Sequence, residues 1–193
     1  MQYAIELYYD METEEKLYAL SKKVADAKLS SKFMEKLSTK FMEWKTRPHP
    51  TLACFNDVDE EKCIIRLKKF AKNHIQMPAY TASVGMLTDT KTIFASPVMN
   101  NAMYWFQREL HECLYDFDIE EWEWYCPGSD SWLPYCTLAL TKEDDEDIFF
   151  KASDLILREF EKISGKFVSI GLLKITIPVD EIFTVELSAT KKK

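Results

Sequence analysis

The chain has 193 residues, of which 47% are hydrophobic and 30% charged, so it can bury a substantial core and is not disordered in composition. Its formal net charge of −7 argues against a protein that grips long nucleic acid without sequence preference, because that affinity depends on Lys and Arg at the phosphates. We expect no membrane span, since no apolar run reaches roughly 20 residues, and no signal peptide at the N-terminus. The five widely spaced cysteines favour reduced thiols in a cytoplasmic protein.

The first third of the chain predicts alternating strands and helices. Residues 2–9 alternate as in a strand, and apolar residues at helical spacing predict helices over 12–27 and 29–45. The second helix must end at Arg47, because a residue that precedes proline is pushed toward extended backbone. Residues 49–55, "HPTLACF", then predict a strand. A helix is predicted over 58–73, with Asp57 or Asp59 as its N-cap and with Cys63, Ile64, Leu67 and Phe70 facing the core.

The rest of the chain continues this mixture. Strands are predicted over 79–87 and 91–98 with a turn between them, followed by a helix over 100–115. A strand over 121–126, a loop over 127–131 and a strand over 133–140 come next. Thr141 is positioned to cap a helix with an acidic first turn, whose apolar face runs through Phe150, Leu155, Leu157 and Phe160 until Gly165. Two further strands, 167–177 and 181–187, precede a frayed end at 190–193.

One six-residue pattern, Pro-x-x-Thr-Leu-Ala, occurs twice, and the two copies begin 134 − 48 = 86 residues apart. Each copy lies in a predicted strand that enters through a proline and leads to a helix with an acidic first turn. Residues i and i+2 of a strand share a face, so His49 should project with Thr51 and Tyr135 with Thr137. Either the pattern marks two similar lobes whose strands lie side by side and line one groove, or it recurs by chance in two buried strands.

The charge is unevenly distributed before the first copy. Residues 21–47 hold eight Lys or Arg and three acids, which is either a solvated helix or a positive rim that attracts a phosphorylated ligand toward His49. With only four glycines, the chain has no Gly-rich phosphate loop, so side chains must do most of any phosphate binding. "HECLY" at 111–115 lacks the second histidine of a zinc-protease helix, and no Cys or His pair has zinc-site spacing. His74 follows a helix, where its role is to complement the helix dipole.

The two copies resemble the motifs of a known family. "PHPTLA" resembles the His-x-Thr motif of the two-histidine phosphoesterase superfamily, the 2′-5′ RNA ligase-like proteins. "WLPYCTLAL" at 132–140 resembles the second motif, which normally reads Trp-x-Pro-His-x-Thr-Leu-Ala. The similarity extends through "SVGML", "KTIFASPV" and "RELHECL" and so covers most of the chain.

This resemblance implies one bilobal domain over 1–193, an α+β duplication with two antiparallel sheets around a central groove and helices outside. It implies a metal-independent phosphoesterase, without cofactor, that acts on 2′,3′-cyclic phosphates or 2′-5′ phosphodiesters of RNA or nucleotides. By position, His49 matches the first catalytic histidine, and Thr51 and Thr137 match the phosphate-binding threonines. The implied partner is a small nucleotide or an RNA end that bears a phosphodiester, with no long nucleic acid and no membrane.

Tyr135 occupies the place of the second histidine and is the one serious departure. Opening a cyclic phosphate needs a base for the attacking water and an acid for the departing ribose oxygen, and an imidazole with a pKa near ~6.5 serves as either. A phenol titrates near ~10, so it can donate a proton but is a weak base at neutral pH. The sequence therefore leaves three possibilities: a weakened phosphoesterase with Tyr135 as a substitute acid, a catalytically deficient nucleotide-binding relative, or a tyrosine that only fills the groove.

Overall fold

The structure, a computed structural model, describes residues 2–30, 47–119, 132–141, 146–176 and 179–190. Four helices occupy these ranges: α1 Met11–Asp26, α2 Glu60–Asn73, α3 Asn101–Cys113 and α4 Glu146–Glu159. Seven strands accompany them: β1 Tyr3–Tyr9, β2 Thr51–Phe55, β3 Met77–Leu87, β4 Thr92–Pro97, β5 Cys136–Leu140, β6 Ile163–Lys174 and β7 Asp180–Glu186. The mixed α+β class with antiparallel strand pairing is therefore confirmed.

The described strands form one continuous sheet in the order β2-β1-β6-β3-β4-β5, with β7 also paired to β6. This differs from the expected two sheets, and the reason is the length of β6. Along one edge, β6 pairs with β1; along the other, its first part pairs with β3 and its second part with β7. A 12-residue strand thus joins what the repeat predicts to be two halves. The bilobal duplication itself remains a prediction.

The helices begin where the sequence predicts because side-chain caps are available there. Asp10, Asp59 and Asn100 each accept a hydrogen bond from a backbone N–H in the first turn of α1, α2 and α3. Cys63, Leu67 and Phe70 of α2 are buried and Ile64 packs against the core, as expected. His74 is the C-cap of α2, and its Nδ1 lies 2.8 Å from the Phe70 carbonyl.

The core face of β1 is apolar, and its other face is not. Tyr3, Ile5, Leu7 and Tyr9 belong to the main hydrophobic cluster together with side chains of all four helices. The alternate residues point to the opposite face, since strand side chains alternate with period two. There Glu6 is buried as well, at 3% exposure. A charged side chain is therefore held inside the protein on the one face of β1 that could have been solvated.

Several predictions fail in detail. Gly165 does not stop α4, which ends at Glu159, but lies inside β6. The predicted apolar face of α4 is correct only in part. Leu155 and Phe160 pack against the main core, but Phe150 and Leu157 are 63% and 58% exposed, because the helix buries Phe149, Ala152, Ser153 and Ile156. β2 and β5 begin at the threonine and at Cys136 rather than at the preceding motif residues.

Other predictions fall beyond the described residues. These are most of the helix over 29–45, the strand over 121–126, the loop over 127–131 and the start of the helix that Thr141 was expected to cap. The hairpin between β3 and β4 is present, with Lys91 at positive φ in its turn. In the described part of the chain, no helix combines the length and apolar character that crossing a membrane requires.

Gly165 is required by the close approach of α1 to β6. A Cβ placed there would lie 1.9 Å from Thr13 Oγ1 and 2.8 Å from Asp10 Oδ2, and Thr13 is buried at the start of α1. We expect Gly165→Ala to lower the free energy of unfolding by about 1–3 kcal/mol through overpacking. Urea unfolding of the purified variant measures this.

Two controls accompany this measurement. Ser164→Ala changes an exposed neighbour in the same strand and should leave the free energy of unfolding within about 0.5 kcal/mol of wild type. Adding Thr13→Ala to Gly165→Ala removes the nearest clashing atom and should recover part of the loss. Equal stability of Gly165→Ala and wild type would contradict the packing argument.

Candidate functional site

The first motif meets the N-terminal strand at a bulge. β2 pairs antiparallel with β1, and Glu6 lies opposite Thr51, while a register shift separates this pair from Ile5 and Ala53. Beyond the end of β2, the Leu7 N–H still donates to the Pro50 carbonyl at 3.0 Å. Bulges commonly redirect side chains next to functional sites. Here the irregularity places the residues of the first motif directly beside β1.

His49 and Thr51 converge on the carboxyl group of Glu6. His49 Nε2 lies 3.4 Å from Glu6 Oε2, with the Glu6 side chain 4% exposed and that of His49 23% exposed. Thr51, which lies opposite Glu6 in the pairing of β1 and β2, brings its side chain near enough to the same carboxyl group to lower its pKa. The sequence predicts that His49 and Thr51 project together, and in the structure they share this neighbour. No sequence argument singled out Glu6, although a lone charge within the aromatic strand "YAIELYY" is a usable signal.

The pKa of Glu6 reflects this environment. Burial raises it above its ordinary value, since the charged form loses its hydration, and the charge of His49 and the hydrogen bond from Thr51 oppose the shift. Glu6 Oε2 has no hydrogen-bond partner within normal distance. Burial therefore favours the neutral form of the carboxyl group, whereas pairing with His49 favours the carboxylate.

The other ring nitrogen of His49 fixes its tautomer. Nδ1 makes a short contact with the carbonyl oxygen of Arg47, and a carbonyl can only accept. Nδ1 therefore carries a proton in either state of the ring, and Nε2 is the nitrogen that gains or loses one. The edge of the imidazole packs against Tyr8, with ring centroids 6.3 Å apart.

Arg47 anchors the segment that carries His49. Its Nε donates to both carboxylate oxygens of Glu14 in α1 at 2.9 and 3.2 Å, and its Nη2 lies 2.7 Å from Glu14 Oε1. The guanidinium carbon lies 4.0 Å from the centroid of the Tyr8 ring. Burial raises the pKa of Glu14, and the hydrogen bond and charge of Arg47 oppose this shift only in part. Within the predicted positive rim, Arg47 is thus engaged in fixing the loop; residues 31–46 lie outside the described part.

Tyr8 lies beneath this arrangement. Its ring is fully buried and rests on Gly171 of β6, where an added Cβ would lie 2.5 Å from the ring. Burial, followed by the charges of Glu6 and Glu181, raises the pKa of its hydroxyl far above the ordinary value. Tyr8 therefore stays a neutral support between the sheet and Arg47.

The second motif lies at the other edge strand, β5. Thr137 pairs with Phe94 of β4, and the Tyr135 ring is 5.1 Å from the Phe94 ring. Tyr135 and Leu133 form a small apolar cluster with Leu87 and Phe94 that is separate from the main core. The four residues predicted for the site are all partly exposed: His49, Thr51, Tyr135 and Thr137. Cys136, between Tyr135 and Thr137, is buried in the main core.

The two motifs are not adjacent in the hydrogen-bonding order of the sheet, contrary to the side-by-side prediction, yet they make contact. β2 and β5 are the two ends of the strand order. Trp132 Nε1, just before β5, donates to the Thr51 carbonyl at 3.1 Å. The backbone of His49 lies near enough to the thiol of Cys136 to lower its pKa, although burial raises that pKa to about 12 overall. The segment that precedes β5 therefore reaches β2, although the two strands lie at opposite ends of the strand order.

A further concave surface lies elsewhere on the molecule. It has a volume of about 440 Å³ and lies between the end of α2, Glu109 of α3 and the segment that contains Ser188 and Thr190. His74 Nε2 lies there, 2.6 Å from Glu109 Oε2, and its ring stacks on Phe70 at 3.7 Å. Nothing in the sequence predicted this cleft. Among the described residues, no three His, Cys, Asp or Glu side chains are grouped as metal ligands would be.

The fold is shared with known phosphoesterases. A crystal structure described as a phosphoesterase superposes with a TM-score of 0.53 at 12% identity, covering 97% of this chain and 98% of the other. LigT from E. coli in complex with NADP+ gives 0.56 at 12% identity, with 97% of each chain covered. LigT in complex with 3′-AMP gives 0.55 at 11%, covering 96% and 97%. At these identities the likeness establishes the fold.

Comparisons of sequence add nothing to this. No protein-family model matches the chain. No curated protein matches it either. The chain therefore has the LigT-like phosphoesterase fold over nearly its full length, and its activity has to be argued from the residues of the site.

The buried Glu6 should reduce stability at neutral pH. Its pKa is raised in the folded state, so folding binds protons and the free energy of unfolding falls as pH rises above the ordinary value of 4.5. We expect Glu6→Gln to unfold at a higher urea concentration than wild type at pH 7–8, and the gap to close as pH falls to 4.5 and below. A gap that is constant with pH would contradict the assignment. Glu12→Gln, at an exposed position of α1 where Glu12 pairs with Lys16, is the control and should change the free energy of unfolding by no more than about 0.5 kcal/mol.

Proposed function

We propose that this protein is a metal-independent phosphoesterase that acts on 2′,3′-cyclic phosphates or 2′-5′ phosphodiesters of RNA or nucleotides. The observation that carries the proposal is the convergence of His49 Nε2 and the Thr51 side chain on one point, within a fold shared with phosphoesterases. The nucleotide complexes of LigT support a nucleotide or an RNA end as the ligand. The composition favours a cytoplasmic location.

His49 is the proposed acid or base, acting through Nε2. Because Nδ1–H donates to the Arg47 carbonyl, neutral His49 presents a lone pair at Nε2 and the imidazolium presents a proton there. The contacts of Arg47 with Glu14 and Tyr8 hold this geometry. Precise orientation of this kind is what makes a positioned base effective.

The reaction requires two proton transfers. A water oxygen attacks phosphorus and gives its proton to the base, while the bond from phosphorus to one ribose oxygen breaks and that oxygen takes a proton from the acid. The product is a phosphomonoester and a free ribose hydroxyl. In the proposal, Thr51 and Thr137 donate hydrogen bonds to the non-bridging oxygens as charge builds. Tyr135 serves as the second proton-transfer group, opposite His49.

A second candidate function is nucleotide or phosphate binding with little turnover. The packing of Tyr135 favours it, because the ring lies against Phe94 and Leu133 at the place of the second histidine. A phenol is a poor base at neutral pH, and the loss of one positioned acid or base lowers rates by ~10²- to 10⁴-fold. Under this second candidate function, the protein binds the nucleotide or phosphate but hydrolyses it slowly or not at all.

Substitutions at Tyr135 distinguish these functions. We expect Tyr135→His to raise turnover of a nucleoside 2′,3′-cyclic phosphate about ten-fold or more, because it restores a group that exchanges protons near pH 7. His49→Ala should abolish the activity. Tyr135→Phe is the matched control, since it keeps the ring and removes only the hydroxyl.

The same assay defines the contrary outcomes. If Tyr135→His and Tyr135→Phe are both slower than wild type while His49→Ala is inactive, tyrosine is itself the working acid. If wild type and all variants are inactive but bind the nucleotide in calorimetry, the protein is a binding protein and the phosphoesterase proposal is wrong.

Chelation tests the independence from metal. The proposed steps use only side chains, so turnover of the cyclic phosphate should be the same within two-fold (about the assay error) after dialysis against EDTA. Added Mg²⁺, Mn²⁺ or Zn²⁺ should not raise it. Activity that chelation abolishes and one of these ions restores would show that the catalytic residues are assigned wrongly.

A further inference from the structure

Among the described side chains around the proposed phosphate site, carboxyl groups outnumber cations. Glu6 lies beside His49, and Glu14 and Glu181 lie near enough to influence the same group of residues. Among the described side chains around this site, the cations are Arg47 and, when protonated, His49. Arg47 is already bound to Glu14. This is an unusual environment for a site that receives an anion.

Glu6 is the carboxyl group closest to where the phosphate must lie. A phosphate oxygen that accepts a hydrogen bond from Nε2 lies about 2.8 Å from it. Glu6 Oε2 is 3.4 Å from that same nitrogen, and the Glu6 side chain is 4% exposed. The phosphate and the carboxyl group are then within roughly 6 Å of each other, where solvent screens their repulsion only in part.

The repulsion depends on the charge of the ligand. A phosphodiester carries a single negative charge, whereas a phosphomonoester carries nearly two above its second pKa of about 6. Opening a cyclic diester therefore adds negative charge to the ligand beside Glu6. Either the carboxylate stays ionised and repels the added charge, or it takes up a proton, and both weaken monoester binding at alkaline pH.

We propose that Glu6 is a specificity-determining residue that makes the site select singly charged phosphodiesters over doubly charged phosphomonoesters and so promotes release of the hydrolysed product. This inference rests on the proposed function, because it takes His49 and Thr51 as the phosphate site. Thr51 connects the two groups, because it lies opposite Glu6 in the strand pairing and its single hydroxyl proton is also the proposed donor to the phosphate.

Two ligands that differ by one charge test this inference. Deoxyadenosine 3′-monophosphate and its methyl diester share base and sugar, and without a 2′-hydroxyl neither can form a 2′,3′-cyclic phosphate. Their dissociation constants are measured by calorimetry at pH 8 for wild type, Glu6→Gln and Glu6→Ala. Glu109→Gln, in the separate cleft with His74, is the matched control.

We expect wild type to prefer the diester, and both neutral Glu6 variants to reduce that preference about ten-fold or more, mainly by tighter binding of the monoester. Glu109→Gln should leave the preference unchanged. If the wild type binds both ligands and neither folded Glu6 variant changes the ratio by more than two-fold, the inference is wrong while the proposed function stands. If wild type binds neither ligand and does not turn over the cyclic phosphate, the proposed function fails and this inference with it.

Discussion

The arrangement of the site depends on the burial of one carboxyl group. Glu6 lies on β1, whose two faces are both buried. Thr51 lies opposite it on β2, and His49 contacts its side chain. A buried acid is unfavourable unless it is paired, hydrogen-bonded or neutral. His49 provides the pairing, and Thr51 lies opposite Glu6 and lowers its pKa, so the residues that accommodate Glu6 are also the two proposed to handle the phosphate.

A second layer of contacts holds this pair in place. Arg47 joins the loop before β2 to α1 through Glu14, and its guanidinium covers Tyr8, which rests in turn on Gly171. Each member is partly or fully buried, so the bidentate ion pair is screened less than a surface pair. The loop that carries His49 is therefore attached to a helix and two strands rather than left as a free connection.

A contact between the two ends of the strand order brings the second motif to the first. The strand order alone separates β2 from β5 by four strands. The hydrogen bond from Trp132 to the Thr51 carbonyl and the contact between Cys136 and the His49 backbone cross the gap between the two edges. An asymmetry remains: the first motif lies among charged groups, whereas Tyr135 packs against Phe94 and Leu133.

Local patterns in the sequence determined the mixed α+β class, the cap at Asp59, the core face of α2 and the turn between β3 and β4, because each of these depends on residues a few positions apart. They did not determine the place of Gly165, since it depends on how closely α1 packs on β6. The single sheet, the meeting of its edges and the burial of Glu6 beside His49 were decided only by the tertiary structure, because they join residues from strands far apart in the sequence.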